Sequence, residues 1–177
     1  MGLTSEGVIA FTDIVGFTEI TDAQGDDVAL ALLDRQDRLV RTAIGSSGRV
    51  VKELGDGLLL WFDDVDVALA RCLDLQAQFD EEGDLPLWVR MGLHWGCPRR
   101  RGDDIIGRDV NLAARITALA GGGEVLCSEA LAGRAATDGS VLFEPLGPVF
   151  VRGIAEPVGL MRVQRAPVRD PARADLR

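Results

Sequence analysis

Short apolar runs alternate along the chain with longer stretches in which apolar residues recur at helical spacing. Val8 to Phe11 is a short apolar run and predicts a buried strand. Residues 49–54 and 57–62 form two further β-like runs on either side of Gly55-Asp56-Gly57. An aspartate between glycines that joins two such runs predicts a β-hairpin.

Helical periodicity appears in three longer segments. One begins at Gly25-Asp26-Asp27 and continues to the glycine-serine breaker 45–48, and a second begins after the capping pair Asp63-Asp64. The third covers Asp109–Ala120 and stops at three glycines. The remaining elements are predicted as a strand over 88–95, a polar arm over 96–104, a strand over 124–128, a short helix over 129–136 and a mostly extended stretch over 140–161.

The order of these elements predicts an α+β fold. A β-α-β-β-α-β sequence is followed by a further α-β-α-β set, and the first part is the split βαβ, ferredoxin-like pattern. We found no repeat or linker, so the chain of 177 residues is predicted to form one domain over 1–165. The charged, proline-containing residues 166–177 are predicted to be a flexible C-terminal tail.

Composition narrows the class of protein. The net charge of −9 argues against nucleic-acid binding, and the run Arg99-Arg100-Arg101 is interpreted as a solvated loop or hairpin tip. No apolar run reaches the ~20 residues of a membrane-spanning helix, and the N-terminus lacks the pattern of a signal peptide. Three dispersed cysteines favour a reducing compartment. We therefore expect a soluble, cytoplasmic protein, with no room on this chain for a receptor or sensor domain.

Two aspartates are the first candidates for chemistry. Asp13 follows the first strand and Asp56 lies in the predicted hairpin turn, and these strands are neighbours in a ferredoxin-like sheet. A pair of carboxylates together with phosphate oxygens is a usual setting for Mg²⁺, and two ions can act together in phosphoryl displacement. Taken singly, Asp13 could equally be a cap and Asp56 a turn residue. As a pair, each near a glycine where backbone and phosphate could approach closely, they indicate a metal site suited to phosphoryl chemistry.

Four motifs in order resemble those of the class III nucleotidyl cyclases, over Val8 to about Val163. Their sequences are FTDIVGFT from Phe11, KELGDG from Lys52, RMGLHWG from Arg90 and DIIGRDVNLAAR from Asp104. The resemblance implies that Asp13 and Asp56 hold two Mg²⁺ or Mn²⁺ ions, with the Ile14 carbonyl as a further ligand. It also implies the catalytic domain fold of that family.

The resemblance assigns the remaining site residues. Lys52 and Asp104 would recognise the purine, and this donor-acceptor pair favours ATP, because guanylyl cyclases usually have Glu and a small residue there. Asn111 would orient the ribose and Arg115 would stabilise charge on the α-phosphate in the transition state. Arg152, in a position where many relatives have Lys, would bind the β- and γ-phosphates. The resemblance leaves three residues less well defined: Arg90 near the phosphates or structural, His94 structural, and Trp95 without a functional account.

The implied reaction is attack of the ribose 3′-oxygen on the α-phosphorus of ATP, which gives 3′,5′-cyclic AMP and pyrophosphate. Family sites lie between two catalytic domains, so a chain that carries both residue sets is expected to form a head-to-tail homodimer. The alternatives are a guanylate cyclase, or a cyclase-like module that binds nucleotide or dimerises with little turnover. An RNA-binding ferredoxin-like domain is disfavoured, because the chain has no Tyr and a negative net charge.

Overall fold

The computed structural model describes residues 5–81 and 87–167 of the chain. These residues form nine strands and five helices. In chain order they are β1 Gly7–Ile14, α1 Phe17–Gln24, α2 Asp26–Ile44, β2 Arg49–Leu54, β3 Gly57–Phe62, α3 Val65–Glu81, β4 Val89–Gly96, β5 Arg99–Arg101, β6 Asp104–Ile106, α4 Arg108–Leu119, β7 Val125–Ser128, α5 Glu129–Ala132, β8 Val141–Val149 and β9 Val158–Arg165.

Seven of the strands form one sheet in the order β2-β3-β1-β4-β7-β9-β8. β1 lies between β3 and β4 and pairs antiparallel with both, as the ferredoxin-like arrangement requires. β7 joins β4 in parallel and leads to β9 and β8, which extend the sheet. The α+β fold with an αβαβ extension is therefore confirmed. Since β1 is central, the residues at its end are held by strands on both sides.

Helices cover both faces of the sheet. Apolar residues of α2, α3 and α5 pack with one set of β1, β3 and β4 side chains to form the larger core. α4 packs on the opposite face through Val110 and Ala113, against a second set that includes Phe11 and Leu59. A buried hydrogen bond of 2.9 Å from Gln36 Nε2 to Thr12 Oγ1 joins α2 to β1. Successive residues of β1 are therefore buried on alternate faces.

Glycines in β4 allow α4 to approach the sheet very closely. A Cβ atom at Gly92 would lie 2.3 Å from the Thr117 nitrogen, and one at Gly96 would lie 2.5 Å from Asp109 Cβ. Only a residue without a side chain fits at these two contacts, one near each end of the helix. α4 is thus held on β4 along most of its length, which fixes the position of the side chains that it carries.

The predicted elements agree with the structure in most places. The hairpin strands have the predicted bounds, and Asp64 Oδ1 caps α3 by accepting the Val67 N–H at 2.9 Å. The polar arm forms β5 and the turn of the β5–β6 hairpin, which continues to Ile106, and Arg99–Arg101 are exposed on β5. α5 ends at Ala132, earlier than predicted, and α1 was not predicted because none of its residues is buried. Most of the predicted tail, from residue 168 onward, lies outside the described residues.

Among the residues that the structure describes, no helix combines the length and the apolar character needed to cross a membrane.

Candidate active site

The two aspartates predicted to bind metal lie at the same end of the central strands. Asp13 is next to last in β1 and is paired with Gly57, the residue that follows Asp56 in the hairpin turn. A Cβ atom at Gly57 would lie 2.7 Å from the Thr12 carbonyl oxygen, so glycine permits this close approach of the turn to β1. The structure therefore brings Asp13 and the Asp56 turn together, as the predicted strand order implied.

The electrostatics of Asp56 are consistent with two neighbouring carboxylates. Partial burial raises the pKa of Asp56 above its ordinary value, and the negative charge of Asp13 raises it further. Arg90 acts in the opposite direction on the same carboxyl group. Two like charges in a partly desolvated place repel each other, and a cation between them would relieve that repulsion.

Arg90 lies opposite Asp13 on the neighbouring strand β4. Its Nε and Nη2 atoms donate to the same carboxylate oxygen, Asp13 Oδ2, at 2.6 and 2.5 Å. Its Nη1 atom donates to the carbonyl oxygen of Ala118 in the last turn of α4 at 3.3 Å. The sequence left the role of Arg90 open, and the structure shows a contact with a candidate metal ligand.

The two residues predicted to recognise the purine are in direct contact. Lys52 of β2 places Nζ 2.6 Å from Oδ2 of Asp104 of β6, and both side chains are partly exposed. The other carboxylate oxygen of Asp104 accepts the Ile105 N–H at 2.7 Å. The hydrogen bond from Lys52 lowers the pKa of Asp104, so this carboxyl remains a charged acceptor at neutral pH. The pair therefore presents one donor and one acceptor side by side.

The predicted transition-state and phosphate residues form a third group. Arg115 lies on α4 and is partly buried, and its guanidinium lies beside Gly153: a Cβ there would be 3.2 Å from Nη1. Gly153 has a positive φ of 73°, in a turn closed by a hydrogen bond of 2.9 Å from the Ile154 nitrogen to the Val151 oxygen. Arg152 is exposed in the same turn. The Arg115 guanidinium and the turn that carries Arg152, from distant parts of the sequence, are thus brought close together.

The remaining predicted site residues have the exposure that their roles require. Asn111 is exposed on α4, one turn before Arg115. Ile14 is 2% exposed, so its side chain belongs to the core and only its main-chain oxygen is available as a ligand. The roles of Asn111 and Ile14 stay predictions.

His94 is buried in β4 and holds neighbouring elements together, as its predicted structural role requires. Its Nδ1 atom lies 2.8 Å from Ser128 Oγ, and Nε2 lies 3.8 Å from Asp109 Oδ1. Ser128 Oγ also accepts the Leu131 N–H at 3.3 Å and so caps α5. Ser128 Oγ therefore contacts both the imidazole and the first turn of α5.

The stability of the fold should depend on pH through His94. Burial lowers the pKa of His94 from its ordinary value of 6.5, and Asp109 opposes this only in part. The unfolded chain then binds the proton at higher pH than the folded chain. The contribution of neutral His94 to the free energy of unfolding should be fully present above about pH 6.5. Below that pH the free energy of unfolding should fall by at most about 1.4 kcal/mol per pH unit.

Urea unfolding of the wild type and a His94→Gln variant at pH 7.5, 6.5 and 5.5 tests this expectation. His94 is the one histidine of the chain, so the variant should show a flatter dependence over this range. An equal decline in both proteins would assign the effect to other groups.

The Asp13 site fits a divalent metal in chemistry and surroundings. Asp13 and Arg90 line a groove of about 200 Å³ between the sheet end and α4, together with Gly57, Ala114 and Ala118. Within the described ranges, no group of three or more His, Cys, Asp or Glu side chains is placed to hold a metal ion. Mg²⁺ is commonly bound by one or two carboxylates and substrate phosphates, so a two-aspartate site suits it better than an all-protein cage would.

Sequence reasoning missed two features of this site. The contact of Arg90 with both Asp13 and Ala118 joins residues far apart in sequence. The one signal of this contact in the sequence was that Arg90 is a basic residue near the start of a mostly apolar strand, β4. The approach of Gly153 to Arg115 was not predicted, because sequence spacing does not show which helix that turn approaches.

Comparison with known proteins gives a consistent result. A family model described as the adenylate and guanylate cyclase catalytic domain matches residues 3–163. A pH-sensitive adenylate cyclase of Mycobacterium tuberculosis is 32% identical over 165 residues, which cover 91% of this chain and 41% of that protein. An adenylate cyclase of Streptomyces coelicolor is 31% identical over 125 residues, which cover 70% of this chain and 32% of that protein. The chain thus spans less than half of either relative.

A solved structure supports the same fold. The crystal structure of the adenylyl cyclase CyaB from P. aeruginosa superimposes with a TM-score of 0.83 at 22% identity, covering 95% of this chain and 98% of that one.

Proposed function

Because the chain belongs to the adenylate and guanylate cyclase catalytic domain family, the class III nucleotidyl cyclases, we propose that it converts ATP to 3′,5′-cyclic AMP and pyrophosphate. The observation that carries this proposal is the conjunction of the Asp13–Asp56 pair at the sheet end with the Lys52–Asp104 pair. The first provides a place for metal and phosphates, and the second provides the hydrogen bonds that suit adenine. The similarity to adenylate cyclases supports ATP as the substrate.

Metal ions would be held by Asp13 and Asp56, with the Ile14 carbonyl. Two Mg²⁺ or Mn²⁺ ions bound there would supply activation of the attacking oxygen and charge neutralisation on the phosphates. The protein itself contributes the position of these ligands. Asp13 is held by strands on both sides and by Arg90, so its carboxylate needs little reorganisation to bind a metal ion.

The other residues would position the nucleotide and stabilise the transition state. Lys52 donates to a purine ring nitrogen and Asp104 accepts from the exocyclic amine, which requires the nucleotide to replace their mutual contact. Asn111 orients the ribose so that its 3′-oxygen is aligned with the α-phosphorus. Arg115 donates to the α-phosphate as charge develops on it, and Arg152 binds the terminal phosphates.

We further propose that the active enzyme is a head-to-tail homodimer with two equivalent sites. Asp13 and Asp56 of one chain would face Lys52, Asp104, Asn111 and Arg115 of the other. In support, the contacts among the described site residues fall into separate groups, with the metal candidates in one and the purine and phosphate candidates in two others. Such a two-fold arrangement makes each chain supply half of each site.

A cyclase assay tests the proposed reaction. Purified protein is incubated with ATP or GTP, each with Mg²⁺ or Mn²⁺, and cyclic nucleotide and pyrophosphate are both measured. Equal amounts of cyclic AMP and pyrophosphate from ATP are expected. Nucleotide binding without either product would favour the alternative of a cyclase-like binding or dimerisation module.

The guanylate cyclase alternative is tested at the purine pair. Replacing Lys52 by Glu and Asp104 by Cys reverses the donor and acceptor pattern. This double variant should lower kcat/KM for ATP relative to GTP by roughly 10- to 100-fold, because mismatched polar groups are left unpaired in a partly buried pocket. The measurement is the ratio of kcat/KM for the two nucleotides.

The exposed pair Arg41 and Asp37 offers a matched control, since it is another ion pair with N···O of 2.7 Å on the helix α2. A variant of that pair should leave the ratio unchanged. If the Lys52 and Asp104 variant also leaves it unchanged, these residues do not recognise the purine.

A further inference from the structure

Arg90 contacts both a candidate metal ligand and the helix that carries Arg115. Two of its nitrogens donate to Asp13 Oδ2 at 2.5 and 2.6 Å, and the third donates to the Ala118 oxygen at 3.3 Å. The Arg90 and Asp13 side chains are 29% and 26% exposed, so the pair is partly shielded from water. One side chain therefore joins the ends of β1, β4 and α4.

The Ala118 contact holds the C-terminal turn of α4. Carbonyl groups in the last turn of a helix lack intrahelical partners, and a cation there is also favoured by the helix dipole. Arg115 is three residues before Ala118 and so lies about one turn away on the same helix. A change in the position of this turn would therefore move the Arg115 guanidinium.

Asp13 fixes the orientation of Arg90. Both donors of the guanidinium edge meet one charged oxygen, and charge-assisted bonds of this kind are stronger than neutral ones. By contrast, the Ala118 contact is a single bond to a neutral carbonyl at 3.3 Å. Loss of Asp13 would leave the weaker contact alone to hold a flexible side chain.

We propose that Arg90 is a positioning residue for both active sites of the dimer. It orients Asp13 for the site that this chain supplies with metal ligands, and it holds α4 so that Arg115 is correctly placed in the other site. Asp13 consequently affects a site whose metal it does not bind. This inference rests on the shared-site homodimer proposed above.

Mixed dimers with a single working site can separate the two roles. One chain carries Arg115→Ala and supplies the metal aspartates of the working site. The other chain supplies Arg115 and carries either Asp13→Ala or Asp56→Ala. Each of these changes removes a metal ligand only from the second site, which is already inactive because it lacks Arg115. The two dimers therefore have identical working sites and differ in whether Arg90 of the Arg115-supplying chain has its Asp13 partner.

The dimer with Asp13→Ala should turn over roughly three- to tenfold more slowly than the dimer with Asp56→Ala, at similar KM for ATP. Adding Arg90→Gln to the Asp56→Ala chain should produce the same loss of turnover. Adding it to the Asp13→Ala chain should lower turnover little further, because Asp13→Ala and Arg90→Gln break the same Arg90–Asp13 contact. Arg90→Lys, which keeps a cationic donor, should recover part of the rate. Arg71→Gln is the matched control, since this exposed α3 arginine is 4.0 Å from its carboxylate partner.

Hydrogen exchange provides a readout that does not need activity. Backbone amides over 116–121 should exchange faster in the separate Asp13→Ala and Arg90→Gln chains than in wild type, while Asp56→Ala and Arg71→Gln should match wild type. Equal turnover of the two mixed dimers, together with unchanged exchange at the end of α4, would overturn the role in the second site. Inactivity of every mixed dimer, when wild type is active, would instead contradict the shared-site function.

Discussion

An equimolar mixture of Asp56→Ala and Arg115→Ala chains should recover about a quarter of the wild-type cyclase activity, although each variant is inactive alone. Random association makes about half of the dimers mixed, and each mixed dimer has one intact site out of two. The intact site takes both metal aspartates from the Arg115→Ala chain and Arg115 from the Asp56→Ala chain. The measurement is cyclic AMP formation after the chains have been mixed and allowed to exchange.

The control for this experiment is a mixture of Asp56→Ala with Asp13→Ala. Both variants damage the same half of the site, so every site in a mixed dimer lacks at least one metal ligand and the mixture should stay inactive. Recovery in this control would mean that metal ligands are not confined to one chain. No recovery in the first mixture, with dimers present by light scattering, would contradict a site shared between chains.

The second large effect is expected for Arg115→Ala in the proposed homodimer. Turnover should fall by about 10²- to 10³-fold, as for loss of a donor that acts on developing charge. KM for ATP should change little, because the contact is formed mainly in the transition state. Steady-state kinetics with ATP and Mn²⁺ give both parameters.

A neighbouring arginine provides the comparison for this variant. Arg108 lies on the first turn of the same helix and is exposed, and Arg108→Ala should retain turnover close to wild type. Equal losses of turnover and of ATP affinity in Arg115→Ala would point to a role in ground-state binding. A substitution of Gly153 would test the same guanidinium from its other side. Any side chain at this position would lie close to Arg115 and would also be strained at positive φ.

The amount of the fold that could be predicted from sequence follows from local physics. The strands 49–54 and 57–62 were predicted with their observed bounds because a Gly-Asp-Gly turn separates two β-like runs. α3 was predicted because its buried stripe has helical spacing and Asp64 caps it. α1 was missed because none of its residues is fully buried, and only Phe17 and Ile20 pack partly against the core, so its apolar stripe is short.

The candidate site divides in the same way. The sequence alone predicted the residues for chemistry, because Asp13, Asp56, Lys52, Asp104 and Arg115 each stand in a short motif that can be read from consecutive residues. Strand order was also implied, so the meeting of Asp13 with the Asp56 turn was expected and is observed.

How these groups are held became visible only once the chain was folded. The double contact of Arg90 with Asp13 and Ala118, and the approach of Gly153 to Arg115, depend on how β4, α4 and the turn before β9 pack together. Arg90 is separated by 77 positions from Asp13 and by 28 positions from Ala118, so no local sequence pattern predicts these contacts. The sequence thus predicted the reacting groups, whereas three-dimensional packing determined their support, because support depends on distances between elements that the chain brings together only when it folds.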